Sequence, residues 1–456
     1  MLYDLVYAPL IHQNLDGEFE PALADTWHYS NSGDAQPNTV FELTLRKGAK
    51  FSDGTPVNAA AVVKWFEYVV AAPGAFNETL GLNSKFSEVN DLTVKIVLTA
   101  PNPNLPYILS DGGLNAGWVV SPAGLADPKH LETVPSGAGP YVLDASKTVQ
   151  GSKYVFKKNP NYYAPNDVAF DSVEYTVLAE GSSRLQAQQS GQIDVAEGEA
   201  ATLAAAEGAG LQISSAPFGV PFLALDLVHN PPAPLKDARV RRAMNMAVDR
   251  NAIAEHIYEG AAEATSVFKP SDVDTSSLTD YWEYNPEKAK EELAAAGYPD
   301  GFELSFLAQG GYAGPEGEPA MHVVAKDLEE IGIKLNITIA SNPAEYSEDV
   351  SSFEYSMLQL AIPVWPTPSL YSILFAPDGP ATYVGEEPKI EKLYEEGSHA
   401  ADSETGFFEM WKYYTEEAFA IPLVSNSYLV YSNDNVEGVA MSERRPVPLP
   451  TEWSPK

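Results

Sequence analysis

Cysteine is missing from all 456 residues, which removes disulfides, thiolate metal sites and cysteine nucleophiles in one step. Basic residues are scarce: 28 Lys and Arg stand against 63 Asp and Glu, a formal charge of −35, so the basic footprint that a phosphate backbone needs is lacking and nucleic acid is excluded as a main partner. No uninterrupted apolar run of about 18 residues occurs, so no segment reads as a bilayer-spanning helix. Met1 to Leu10 has no basic start and already carries Asp4, so no secretory leader opens the sequence. A leader removed upstream, or never included, is compatible with this. What is abundant is core-forming material, 45% AVILMFWYC against 20% charged residues, enough for a soluble chain of two or three domains. Acidity of this kind suits a monomer in salty or extracellular surroundings and needs no specific cationic ligand.

Enzyme signatures are missing too. None of His12, His28, His130, His229, His256, His322 and His399 forms an i, i+4 pair around a Glu, so a zinc-protease helix is excluded. Gly-x-Gly-x-x-Gly after a strand, a phosphate-cradling Gly-x-x-x-x-Gly-Lys-Ser/Thr and a Gly-x-Ser-x-Gly elbow do not occur. We expect no catalytic residue, no metal site and no cofactor. A carboxylate pair hydrolysing glycosides stays open, because 63 acids offer too many pairs to choose between.

Strand and helix periods alternate without a repeat, which predicts mixed α/β structure. Phe41, Leu43 and Leu45 alternate as a strand ahead of the turn Asp53-Gly54-Thr55-Pro56, and Asn58 caps a helix with Val62, Val63, Phe66, Val69 and Val70 on one face, stopped at Pro73-Gly74. Leu92 to Leu98 alternates as a second strand. Pro135 to Tyr141 and Pro231-Pro232-Ala233-Pro234 mark domain junctions. Between them, a strand at Val173–Val177, a helix at Ser182–Ser190 ended by Gly191 and a strand from Ile193 predict a parallel crossover unit. Asp237 and Asn285-Pro286 start further helices, a helix holds Met321 to Leu328, and Ile333 to Ile339 alternates as the strand after it.

Arg239, Arg241, Arg242 and Arg250 are four of eight arginines and are expected within one helix. They read as an anion site or, in preference, as a solvated helix face paired with acids such as Asp249 or Glu255. Aromatic rings beside Pro and Gly, at Phe218-Gly219-Val220-Pro221-Phe222 and Ile362-Pro363-Val364-Trp365-Pro366-Thr367-Pro368, read as loops that can line a cleft, although any single ring is more often core.

Taken in order, several segments resemble a known family. Tyr3-Asp4-Leu5, Pro21-Ala22-Leu23-Ala24-Asp25-Thr26-Trp27 and Phe41 through Val57 look like its opening. Gly139-Pro140-Tyr141, Asn159 to Tyr163, Ser190 to Val195, Val240-Arg241-Arg242-Ala243 with Asp249-Arg250, Ala295 to Pro299 and Ile331-Gly332-Ile333 follow in sequence. The family is the solute-binding proteins of family 5, the oligopeptide, dipeptide and nickel-type receptors of bacterial ABC importers. The resemblance implies a periplasmic-binding-protein type II-like α/β fold: lobe I from 1–8, 139–230 and 425–456, a subdomain inserted at 9–138, and lobe II at 231–424. It implies scaffold roles for the Asp-Gly-Thr-Pro turn and the arginine-rich helix. Two departures stand out. The extra strand that family members carry before the Tyr-Asp-x-Leu segment is not in this sequence: either the natural chain starts upstream, or a strand is lost and a sheet edge is exposed. The acid that peptide receptors use for the ligand ammonium is not found in Leu358 to Trp365; a buried ammonium there would lack a counter-charge, whereas Gln359 and Trp365 suit a neutral polar ligand.

The resulting expectation is an extracytoplasmic receptor that captures a small solute between lobes and delivers it to an ABC permease. Peptide is the first choice of cargo, with oligosaccharide and metal chelate as alternatives. Phe218, Val220, Phe222, Gln359, Ala361 and Trp365 are the expected ligand-binding residues. The expected partners are the small-molecule or peptide ligand and the permease subunits, with no nucleic acid; a monomer is expected, and membrane contact would come only through a lipid anchor or that permease. A secreted glycoside hydrolase, or a sensor or adhesin serving no transporter, are the rivals.

Overall fold

The computed structural model describes all residues except 1, 31–36, 72–79, 81–83, 100, 114–115, 311–313, 376–382, 386 and 400–402. The chain divides into two compact units, Met1–Ala216 with Tyr428–Lys456, and Pro217–Ser427. The units meet along the chain at 216/217 and 427/428.

The first unit opens with α1 (Leu2–Val6) and β1 (Ile11–Gln13). β2 (Ala24–Tyr29), β3 (Val40–Leu45), α2 (Ala59–Ala71), β4 (Lys85–Asn90) and β5 (Thr93–Val97) follow, with the four strands antiparallel in the order β2-β3-β5-β4. Asn58 starts α2 as expected, its Oδ1 accepting from Ala61 N at 3.0 Å; the stop at Pro73-Gly74 lies outside the described residues. Phe41, Leu43, Leu45, Val62 and Phe66 join one core whose members run from Ala8 to Ala138. A second, small core holds Leu5, Val6, Tyr141, Phe156 and Val168. It carries the antiparallel sheet of β6 (Tyr141–Leu143), β7 (Lys153–Lys158) and β8 (Ser172–Thr176).

After β8 come α3 (Gly181–Gln189) and β9 (Val195–Glu197), with Gly191 at φ +73° ending the helix. The expected parallel crossover pairing is not made. Among the described residues β8 pairs only with β7, and β9 pairs antiparallel with Val430–Ser432. Between their facing edges lies a cavity of about 390 Å³, lined by Ser172 to Leu178 on one side and Gln192 to Glu197 on the other. Arg184 fastens its end: Nε donates to Glu197 O at 2.9 Å, while Nη1 donates to Leu178 O at 2.9 Å and Ala179 O at 2.7 Å.

The chain leaves this unit within β10 (Gln212–Leu225). The second unit then adds α4 (Ala238–Ala247), α5 (Arg250–His256), α6 (Pro286–Ala295), β11 (Phe302–Gln309), α7 (Gly317–Glu330), β12 (Ile333–Ala340), β13 (Met357–Pro363), α8 (Thr367–Leu374), α9 (Ser403–Glu416) and β14 (Val424–Ser432), along which the chain returns. β11 runs parallel to both β12 and β13, and β13 is antiparallel to Gly219–Leu225 of β10. Asp237 and Asn285 cap α4 and α6 as the sequence requires.

The arginine cluster is split over two helices, α4 and α5, rather than one: Arg239 and Arg242 stay on the solvated side, paired with acids, and the other two are buried. Arg241 and Arg250 are each 5% exposed. Arg241 donates to the carbonyls of Leu235, Glu417 and Ala418, closing the C-terminal end of α9. Arg250 donates to Pro422 O at 2.7 Å, Asn245 O at 2.8 Å and Asn245 Oδ1 at 2.7 Å. Arg239 pairs with Asp237 and Arg242 with Glu417, not with Asp249 or Glu255. Buried guanidiniums hold carbonyls because five fixed donors can satisfy several orphaned acceptors at once.

Candidate functional site

All six residues expected to bind ligand lie in the second unit: five are on two paired strands rather than on loops, and Trp365 follows the second strand, ahead of α8. Val220 faces Ile362, Pro221 faces Ala361, Phe222 faces Leu360 and Leu223 faces Gln359 across the β10–β13 ladder. Pro221 is tolerated inside a strand because its carbonyl still accepts, here from Leu423 N at 3.0 Å.

Side chains alternate between the faces of a sheet, and that period separates the six. Val220 and Phe222, 1% and 2% exposed, sit in the core built with Val267, Phe268, Leu358, Ile362 and Trp411. The Phe222 and Phe268 rings meet edge to face at 4.8 Å. Gln359 and Ala361 lie on the opposite face with Pro221 and Pro363. Gln359 is buried and committed: its Oε1 accepts from Gln309 N at 2.9 Å and its carbonyl accepts from the Tyr346 hydroxyl. Ala361 is exposed, as is Phe218 at 40%. Trp365 is half-buried against the Phe222 core.

The segment after β13 is held firmly. Val364 N donates to Phe218 O at 3.0 Å, Ser271 N to Trp365 O at 3.1 Å, and Thr367 N to Asp272 Oδ1 at 2.7 Å. Trp411 Nε1 donates to Thr367 Oγ1 at 3.0 Å, fixing the start of α8. Phe218 and Ala361 are thus exposed on opposite faces of a rigid ladder, with Trp365 held on the Phe222 side, and a rigid support preserves binding energy that a mobile loop would lose on ordering.

Asn426 is the residue that sequence reading passed over. Its Oδ1 is buried without a hydrogen-bond partner, as is Ser425 Oγ. A Cβ at Gly219 would lie 3.5 Å from Asn426 Oδ1 and 3.0 Å from Ile362 O, so glycine leaves space beside this acceptor. The signal was present as Ser425-Asn426-Ser427, a polar break between the apolar runs Ile421–Val424 and Leu429–Tyr431. A neutral acceptor beside Gly219 can take an N–H or O–H donor. Among the described residues no cluster of His, Cys, Asp or Glu is arranged to hold a metal, and no helix is long and apolar enough to cross a membrane.

Comparison with known proteins agrees with these features at the level of fold and family. The glutathione-binding protein GsiB of Escherichia coli K12 is 28% identical over 343 residues, which cover 73% of this chain and 63% of GsiB. The chain therefore spans less than two thirds of that relative's length. NikA from Brucella suis, solved with Fe(III)-EDTA, superposes with a TM-score of 0.81 at 21% identity, covering 100% of this chain and 95% of NikA. DppA from Helicobacter pylori, solved with the peptide STSA, gives 0.79 at 20% identity over 99% and 92%. These likenesses establish the fold of type II periplasmic binding proteins. The profile described as "Bacterial extracellular solute-binding proteins, family 5 Middle" matches residues 18–381, and the chain belongs to that family.

Proposed function

We propose that the protein is the extracytoplasmic binding component of an ABC importer, which captures a small solute without chemical change and passes it to a permease. Family membership over residues 18–381 carries this reading. Relatives named for glutathione and for a bound peptide support peptide cargo. The neutral character of Leu358 to Trp365 and the acceptor of Asn426 keep oligosaccharide as a second reading. In either case Phe218, Gln359, Ala361 and Trp365 are the proposed contacts, with Val220 and Phe222 shaping the strand beneath them.

A thermal-shift panel of peptides, oligosaccharides and metal chelates tests the class. A cognate solute at 100 times its dissociation constant should stabilise by about 2.7 kcal/mol. Trp365→Ala should weaken the best hit about tenfold while moving the ligand-free midpoint by only a few degrees; unchanged affinity removes Trp365 from the site. Turnover of any glycan in the same panel would instead support the hydrolase.

We further propose that residues 9–138, which hold their own core, form the inserted subdomain, and that the cavity between β8 and β9 seats one more extended strand. Support comes from two unpaired edges facing one space, a geometry that a strand satisfies on both sides. A chain carrying an alternating apolar strand ahead of α1 should protect the β8 and β9 amides from exchange, and unaltered exchange would count against the seat.

A further inference from the structure

In the first unit, His12 on β1 stands between two carboxylates. Its Nδ1 lies 2.6 Å from Asp111 Oδ2, and its Nε2 lies 3.5 Å from Glu452 Oε1. Neutral imidazole has one N–H, so it can donate to only one of them and must turn a lone pair toward the other; imidazolium donates to both. Asp111 is in turn fixed by Gln13 N, which donates to its Oδ1 at 2.8 Å. Glu452 is paired through both oxygens with Arg445, whose Nη2 donates at 2.6 Å and whose Nη1 also reaches Gln13 O at 3.3 Å. Arg445 is 2% exposed, and its Nε has no partner. The arrangement ties the segment 442–456 to β1 and to the turn at Ser110–Gly113.

We propose that His12 is a proton-operated clasp, closed as imidazolium and loosened on deprotonation, that governs how tightly the 442–456 segment is held on the first unit.

The charged groups around it agree on the direction. Burial opposes the charge on His12, but the hydrogen bond to Asp111 and the charges of Asp111 and Glu452 outweigh it, with Arg445 acting the other way; the ring is held above its ordinary value. A raised value means that the clasp's contribution is complete below about pH 6.5, where unfolded histidine titrates, and is lost as pH rises through the folded value. Asp4, on α1, feels both Asp111 and Arg445, and burial pushes its carboxyl up to about 7. Its ionised form, reached in the same range, is disfavoured chiefly by burial, and it repels Asp111 while attracting Arg445. Tyr163 also feels the Asp111 charge. Pro450 and Trp453, on the clasped segment, line the cavity between β8 and β9, so opening the clasp alters the wall of that cavity.

Amide exchange of residues 442–456, corrected for intrinsic rates, tests this between pH 5.5 and 8.5. In the unmodified chain, exchange should rise about tenfold across the range, the loss expected for one charge-assisted contact. In His12→Gln, exchange should be fast already at pH 5.5, and the remaining rise should be the part that Asp4→Asn removes. Equal profiles for the unmodified chain and His12→Gln overturn the clasp. If His12→Gln does not fold, the His12 ring followed by NMR in the unmodified chain decides: titration above pH 6.5 supports it, and titration at or below that value overturns it.

Discussion

Arg250→Ala is expected to lower the stability of the second unit by about 3 to 5 kcal/mol, the range found when one partner of a buried charged network is removed. The reason is what stays behind. Pro422 O, Asn245 O and Asn245 Oδ1 each lose the donor they have in the interior. Arg250→Lys should recover little of this, because an ammonium at the end of a flexible stem does not reproduce three donors in a fixed plane. Thermal unfolding followed with a probe in the second unit checks both variants, since a chain of two compact units has no single two-state midpoint. A loss under about 1 kcal/mol would mean that water replaces the guanidinium and that the carbonyls are not sealed in.

Trp411→Ala should cost about as much, roughly 3 to 5 kcal/mol, through a different term. Trp411 is fully buried, packs edge to face on Phe268 at 5.7 Å and near Tyr414 at 5.9 Å, and fills the core that also holds Phe222. Its loss leaves a cavity and frees Thr367 Oγ1 from its indole donor. Because Thr367 starts α8, solute affinity should fall together with stability, whereas Trp365→Ala should separate the two. Denaturant unfolding of Trp411→Ala and Trp411→Phe measures the packing part, and a midpoint unchanged in either would show that this core repacks without cost.

The parts of this fold legible in the sequence are those that neighbours along the chain decide. Asn58, Asp237 and Asn285 announce helix starts because a cap acts within three residues, and the alternation of Phe41, Leu43 and Leu45 reports a half-buried strand for the same local reason. Distant pairing was not legible. β8, α3 and β9 occur in the expected order, yet β9 takes its partner from Val430–Ser432, and nothing near residue 195 indicates that choice. Prolines hid β10 and β13, since Pro221 and Pro363 read as loop breakers although both sit in a ladder. For the candidate site, once those loops are strands, alternation sends Val220 and Phe222 to one face and Gln359 and Ala361 to the other. The resemblance implied a scaffold role for Arg241 and Arg250, but their partners were unreadable for a related reason: carbonyl acceptors carry no side-chain signature.

The second unit interrupts the first along the chain, entering through β10 and leaving through β14. During synthesis on a ribosome, β9 therefore emerges long before Val430–Ser432, and its edge waits while the whole of Pro217–Ser427 is translated. The inner unit can mature first, and the outer one closes last, so a nascent chain stalled before residue 428 should carry an exposed strand edge that chaperones recognise.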